Sequence, residues 1–309
     1  MKILVVGGAG YVGGVIVDLL LKKKNYKVTV FDNLLYEDSF RKNCNFIFGD
    51  IRDKNFYKKN INNYDVIVWL AALVGDGACS INPDLTDEIN YQTLRRLCKV
   101  YNKRIVFIST CSVYGAQQGI LSEASSVNPL SHYASSKLKC ENLLKNKNSI
   151  IFRLGTLFGV SDNYSRIRMD LVVNTLSAKA FFEKKMSVFG GEQYRPLLHV
   201  KDVARAIEVA IRSKKRGIYN LSYKNMKIID IAKEIQKYFK NTKIIKTKIK
   251  FQDARNYKAT KELSFRAKYN LKYGIGELKK LLTEKRIKNF NDPRYTNQKY
   301  LEIFKDKMI

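Results

Sequence analysis

The sequence predicts an α/β protein: a doubly wound parallel sheet carrying a second, smaller α/β lobe. Three observations lead there. Short apolar, β-branched runs alternate with stretches of helical periodicity as far as Leu154, the pattern of right-handed strand–helix–strand crossovers. The first of these runs passes directly into a cluster of glycines and then into a helical stretch. After Gly155 the alternation loosens, yet apolar segments continue and no Pro/Gly/Ser linker intervenes, so the second half reads as a lobe packed on the first.

The elements follow in order. Lys2–Val6 is an apolar run closed by glycine, as a buried strand should be. Tyr11–Leu21 repeats apolar residues at helical spacing, and Lys27–Phe31 is a second strand ending at Asp32-Asn33. Phe46–Phe48, Val66–Leu70 and Arg104–Ile108 are further strands, with a helix over Leu85–Tyr101. A helix over Ser131–Asn146 and a strand over Ile150–Leu154 complete a first domain, residues 1–155. Residues 156–285 carry helices over Asp170–Phe182, Asp202–Arg212 and Ile228–Phe239, and strands over Gly217–Leu221 and Thr242–Ile249. A last short helix, Glu277–Leu282, is placed after the pair Gly274-Ile-Gly276, and residues 286–309 form a basic tail rich in Lys, Asn and Tyr.

Composition narrows the function classes. Of 309 residues 45% are hydrophobic, which excludes a disordered chain. The longest nearly unbroken apolar run, Val66–Val74, falls far short of the ~20 residues that span a bilayer. The first residues lack the charged and apolar regions of a secretory signal, and the five cysteines form no CxxC pair, so a cytoplasmic protein without disulfides or metal is expected. The net charge of +29 favours anionic partners. Of the 57 basic residues 41 are Lys, scattered without an Arg-rich arm, which speaks against specific nucleic-acid binding and for a diphosphate-bearing small molecule.

The glycine cluster is the first chemical signal. Gly7, Gly10 and Gly13 stand between strand and helix, where tight turns bring backbone amides and a helix N-terminus onto a pyrophosphate. Tyr11 and Val12 belong to the same loop. Asp32, at the end of the next strand, can accept both ribose hydroxyls and repel a 2′-phosphate, which favours NAD over NADP, with Asn33 beside it. Arg41 further on is a residue that could instead meet a phosphate. The second signal is Tyr133-Ala-Ser-Ser-Lys137. Positions i and i+4 share a helix face, and an ammonium one turn from a phenol, with an oxidised nicotinamide nearby, pushes the phenol toward a general base. It follows a strand whose end, Ser109-Thr110, carries hydroxyls, either of which could serve the reacting oxygen.

The spacing GxxGxxG, with Gly49-Asp50-Ile51-Arg52, Leu70-Ala71-Ala72, Asn90-Tyr-Gln-Thr and the Tyr133/Lys137 pair, resembles the nucleotide-sugar epimerase and dehydratase branch of the extended short-chain dehydrogenases/reductases. The resemblance implies a Rossmann-type NAD domain followed by a nucleotide-sugar lobe. It implies that Asp50 and Ile51 contact the adenine, that Leu70, Ala71 and Ala72 underlie the ribose and pyrophosphate, and that Lys137 also holds the nicotinamide ribose. Thr110 takes the place of the family's catalytic Ser/Thr and would bond the reacting sugar oxygen alongside Tyr133. The implied chemistry is oxidation of a sugar at C4 by tightly held NAD, in a homodimer. Arg195, in Gly191-Glu-Gln-Tyr-Arg195-Pro, matches the Arg that clamps the nucleotide diphosphate, its guanidinium fork fitting phosphate bidentately. Thr156 stands where an Asn often binds the pyrophosphate. Cys111 and Ser112 follow Thr110 where 4,6-dehydratases carry Asp and Glu, which leaves C4-epimerisation or 4-dehydrogenation as the expected outcome. Segments such as Arg-Met-Asp-Leu-Val-Val-Asn are similar to members from surface-polysaccharide pathways, some acting on GDP-heptoses. A 4,6-dehydratase and a non-catalytic NAD-binding regulator are the alternatives. Arg166, Arg168 and Asp170 are read as a loop near the sugar, His132 as a solvated helix start, and His199 and Asp202 as structural residues.

Overall fold

Continuous apolar runs arise where a strand is covered on both faces, as in the inner strands of a seven-stranded sheet here, while its edge strand Asn45–Phe48 is largely exposed. A computed structural model of the chain describes residues 1–58, 61–117, 119–247, 256–257 and 265–304. The seven form one sheet, entirely parallel. From edge to edge the order is Gly217–Leu221, Ser149–Leu154, Arg104–Thr110, Val66–Trp69, Lys2–Val6, Lys27–Asp32 and Asn45–Phe48. Side chains alternate across it. Ile3 and Val5 join one core beneath the helices Tyr11–Leu21 and Val200–Arg212, while Leu4 and Val6 join another beneath Thr93–Val100 and His132–Leu144. The expected Rossmann-type α/β architecture is the one observed. Helix Val200–Arg212 and strand Gly217–Leu221, both from the 156–285 span, cross back to this sheet.

Where Leu85–Tyr101 was expected to be one helix, the chain forms Pro83–Asp87, a π turn over Glu88–Gln92, and Thr93–Val100. The π turn carries Asn90. Its amide Oδ1 accepts the Leu73 N–H at 2.8 Å, and its Nδ2 donates to the Leu73 carbonyl at 3.0 Å and to Ser136 Oγ at 3.1 Å. The wider turn thus serves a buried polar bracket between three segments, as such turns often do near functional sites.

The lobe has its own core. Helices Val172–Phe182, Ile228–Tyr238 and Leu271–Thr283 pack beside a three-stranded sheet of Lys224–Lys227, Tyr194–His199 and Thr156–Phe158. The last helix starts earlier than expected and contains Gly274 and Gly276. Gly274 is required by packing: a Cβ there would lie 2.5 Å from the Phe158 ring. Strand Lys243–Thr247 pairs with Lys185–Phe189; the expected strand over Thr242–Ile249 begins one residue later than predicted, and its residues 248–249 lie outside the described residues. The basic tail is not bare: Pro293–Tyr295 forms a 3₁₀ turn and Asn297–Ile303 a helix. Among the described residues no helix is long and apolar enough to cross a membrane.

Candidate active site

In an open parallel sheet the strand ends at the carboxyl side leave a crevice, and here it is a cavity of about 740 Å³. The candidate catalytic, cofactor and substrate residues taken from the sequence border it, Arg41 excepted. Gly7, Gly10, Tyr11, Val12 and Gly13 come from the first turn, Asp32, Asn33, Asp50 and Ile51 from the next two strand ends, and Leu70, Ala71 and Ala72 from the fourth. Thr110, Tyr133 and Lys137 stand together, and the lobe contributes Thr156 and Arg195.

The glycine turn is shaped for a ligand. Gly7 has φ 81°, and a Cβ on it would lie 2.5 Å from the Ala71 amide nitrogen. Gly10 caps helix Tyr11–Leu21 with no side-chain hydrogen bond, and nothing lies within 4 Å of where its Cβ would be. Free amides facing open space at a helix start suit a pyrophosphate. Asp32 closes the turn: Oδ2 accepts the Ala9 N–H at 2.9 Å and Oδ1 the Leu34 N–H at 2.8 Å. Burial pushes its carboxyl up against these bonds. Asn33 Nδ2 donates to Asp50 Oδ2 at 3.1 Å. Burial works to raise the Asp50 carboxyl, but the Arg52 guanidinium and backbone N–H hold it below the usual range. Arg41 is exposed, bonds Ser39 and does not border the cavity.

At the other end, Thr110 Oγ1 accepts the Ser112 N–H at 3.1 Å, and the Thr110 hydroxyl works to lower the Tyr133 phenol. Lys137 is buried, donating from Nζ to the Ile108 carbonyl at 3.0 Å with the Phe107 ring 4.8 Å away. Burial raises the Tyr133 phenol and lowers the Lys137 ammonium. In the chain alone, desolvation therefore outweighs the lowering of the phenol expected from Lys137. Ser109, the competing hydroxyl, is committed elsewhere: it donates to Glu141 at 2.5 Å, and Glu141 in turn receives Arg153 Nη2 at 2.6 Å. His132 is exposed. His199 Nδ1 accepts the Lys201 N–H at 3.1 Å and so starts helix Val200–Arg212. Asp202 receives the Lys268 and Tyr269 amides at 2.9 Å each.

Several residues reach the cavity that no motif marked, among them Tyr36, Glu37, Asp76, Asn297, Gln298 and Lys299. Arg166, Arg168 and Asp170 border it too. Arg168 and Asp170 form a two-pronged ion pair at 2.6 and 2.9 Å. Burial alone would raise Asp170, yet Arg168 holds it low. The helical spacing of Tyr300 and Phe304, whose rings meet at 4.6 Å, is a signal that could have pointed to the tail. Among the described residues no group of three or more His, Cys, Asp or Glu could hold a metal.

The chain is similar to known proteins along most of its length. An uncharacterized UDP-glucose epimerase of Bacillus subtilis is 31% identical over 236 residues, 68% of this chain and 72% of the relative. An ADP-L-glycero-D-manno-heptose-6-epimerase of Brachyspira hyodysenteriae is 28% identical over 97% of both chains. Among solved structures, a dTDP-glucose 4,6-dehydratase of Streptomyces venezuelae superposes with a TM-score of 0.79 at 22% identity, covering 93% of this chain and 98% of that one. The model of the NAD dependent epimerase/dehydratase family matches residues 3–222, and this chain belongs to that family.

Proposed function

We propose that this protein uses NAD to oxidise C4 of a nucleotide-linked sugar and acts as a C4-epimerase or a 4-dehydrogenase in the making of a surface-polysaccharide sugar, GDP-heptoses being one substrate class. One observation carries the reading: Thr110, Tyr133 and Lys137 converge at one end of the cavity whose other end is the glycine turn. A regulator that only bound the dinucleotide would need no such convergence.

The residues divide the work. Gly7, Gly10 and Gly13 seat the cofactor's pyrophosphate on the first helix, Asp32 and Asn33 hold its adenosine ribose, and Lys137 its nicotinamide ribose. Bound NAD supplies a hydride acceptor and a positively charged ring beside the phenol. Burial raises the Tyr133 phenol, and the positive charge that bound NAD would supply favours its deprotonated form. Thr110, its oxygen already accepting from Ser112, turns its O–H toward Tyr133 and the sugar oxygen. Tyr133 would take the proton from the C4 hydroxyl, the C4 hydrogen leaving with its electron pair as hydride to the acceptor that bound NAD would supply. Arg195 and Thr156 meet the nucleotide diphosphate. Elimination of the C6 hydroxyl would need a carboxylate after Thr110, and Cys111 and Ser112 offer none. The reading includes tightly held NAD and a homodimer formed through helices Thr93–Val100 and His132–Leu144.

The test is incubation with UDP-, GDP-, CDP-, ADP- and dTDP-sugars, following nicotinamide absorbance, product isomers and mass. An isomer without net reduction marks an epimerase, and a ketone with stoichiometric reduction a dehydrogenase. Loss of water from the sugar overturns the reading of Cys111 and Ser112. No turnover with any sugar, or full turnover by Tyr133→Phe, overturns the assignment itself.

A further inference from the structure

The C-terminal segment, which no motif marked, is built into the cavity from both halves of the molecule. Asn297 is buried and makes three bonds. Its backbone N–H donates to Asp170 Oδ2 at 3.0 Å, its Nδ2 to the Val74 carbonyl at 2.8 Å, and its Oδ1 accepts from Arg166 Nη2. Val74 belongs to the loop after the Val66–Trp69 strand, whereas Arg166 and Asp170 belong to the lobe. The segment is anchored twice more on that lobe loop: the Met169 N–H donates to the Tyr295 carbonyl at 2.8 Å and Arg166 Nη1 to the Arg294 carbonyl at 2.7 Å. On the other side Tyr300 meets Tyr36 at 5.3 Å, and the Arg166 guanidinium lies 4.5 Å from the Tyr36 ring. Leu301 is fully buried against the Leu73 and Cys79 cluster. Gln298 and Lys299, both exposed, border the cavity from this helix.

Building on the nucleotide-sugar reading above, we propose that residues 293–304 are a wall of the nucleotide-sugar end of the cavity and that Asn297 is a positioning residue holding the Arg166–Asp170 loop against the dinucleotide-binding half. The placement separates two ligands. The glycine turn and Asp32 make their bonds without the tail, which bonds toward the cofactor's seat through Val74, beyond the Leu70–Ala72 loop. The Arg166–Asp170 loop has no comparable independence: three of its residues bond the tail directly. Arg168 is aimed by its pair with Asp170, so loosening Asp170 releases a guanidinium from its fixed direction in the cavity.

The test uses the full chain. Dissociation constants for NAD and for the nucleotide sugars of the panel are measured on wild type, Asn297→Ala, and the exposed double variant Gln298→Ala/Lys299→Ala. Asn297→Ala is expected to weaken nucleotide-sugar binding about tenfold, the scale of a lost charge-assisted bond, with NAD affinity within about twofold. It should also speed amide exchange at Met169. The double variant keeps the fold and is expected to lose several-fold in nucleotide-sugar affinity alone. Unchanged nucleotide-sugar affinity in both variants, or an equal loss for NAD and sugar, overturns the wall. Should wild type bind NAD but no nucleotide sugar, the functional reading falls, and exchange at Met169 still decides the positioning role: no change in Asn297→Ala overturns it.

Discussion

Glu37 carries a pH signal inside the cavity. Both its oxygens accept the Arg166 backbone N–H, at 2.9 and 3.1 Å, and burial pushes its carboxyl up from 4.5 to about 7. The folded state therefore holds its proton more tightly than the unfolded one. The stability this gives is fully present below about pH 4.5 and is lost as pH rises through about 7. Melting curves of wild type and Glu37→Gln should diverge between about pH 5 and pH 8, the wild type losing ground as pH rises, and parallel curves would remove the effect. Tyr133→Phe makes a different demand: hydride transfer in a single turnover should fall by about 10²–10⁴, with NAD affinity unchanged, because only the proton acceptor is gone. The contrast shows what single residues reveal in a sequence. Tyr133 and Lys137 were legible because i,i+4 spacing converts a linear pattern directly into a shared face. Glu37 was not, since its environment is made by Arg166 and Tyr36, and Arg166 arrives from a distant part of the chain.

Among the elements, the glycine turn makes two separable demands. Gly7 has a left-handed φ of 81° and sits against the Ala71 backbone, so Gly7→Ala should cost stability, about 1–3 kcal/mol from the backbone alone, as well as NAD affinity. Gly10 has an extended backbone and open space around it, so Gly10→Ala, losing a favoured helix cap, should cost less than Gly7→Ala, only about 0.5–1 kcal/mol of stability. Its new methyl would stand where the pyrophosphate is expected, and NAD affinity should drop at least about tenfold, as when polar contacts to a charged group are lost. Titration of NAD beside urea denaturation of both variants checks this, and a Gly10→Ala protein with wild-type NAD affinity would move the pyrophosphate elsewhere. The inner strands of the main sheet were readable because burial on both faces leaves unbroken apolar runs. Thr156–Phe158 and Lys224–Lys227 were not, being three and four residues long and largely half-buried or exposed. The π turn at Asn90 was also hidden, because its neighbours keep the helical apolar period on either side.

For the whole molecule, the two halves meet around the ligand. The Tyr11 hydroxyl donates to the Gly159 carbonyl at 2.8 Å, Ser161 Oγ to the Tyr11 carbonyl at 2.5 Å, and Ser165 Oγ to the Ala9 carbonyl at 3.2 Å, so the first turn is bonded to the lobe. Lys42 adds ion pairs to Asp162 of the lobe and to Asp18 of the first helix. Sequence patterning reports each half's core but is silent on such cross-bonds, which join residues about 150 positions apart by single polar contacts rather than by a period. The net charge, by contrast, was readable at once, and it has a consequence only at this scale. A protein of +29 sets up a field that would attract an anionic ligand, although the cavity itself is lined by both signs, Arg195 and Lys299 as well as Asp32, Glu37 and Asp50. That field reaches ~30 Å at 0.01 M salt and ~8 Å at 0.15 M. Raising salt across this range should therefore lower kcat/KM for a nucleotide-diphosphate sugar by about three- to tenfold through encounter alone, leaving kcat unchanged. Sucrose at matched osmolarity is the control, since it alters neither charge nor screening. A kcat/KM indifferent to salt would mean that the basic residues spread their field evenly around the surface and contribute to solubility rather than capture.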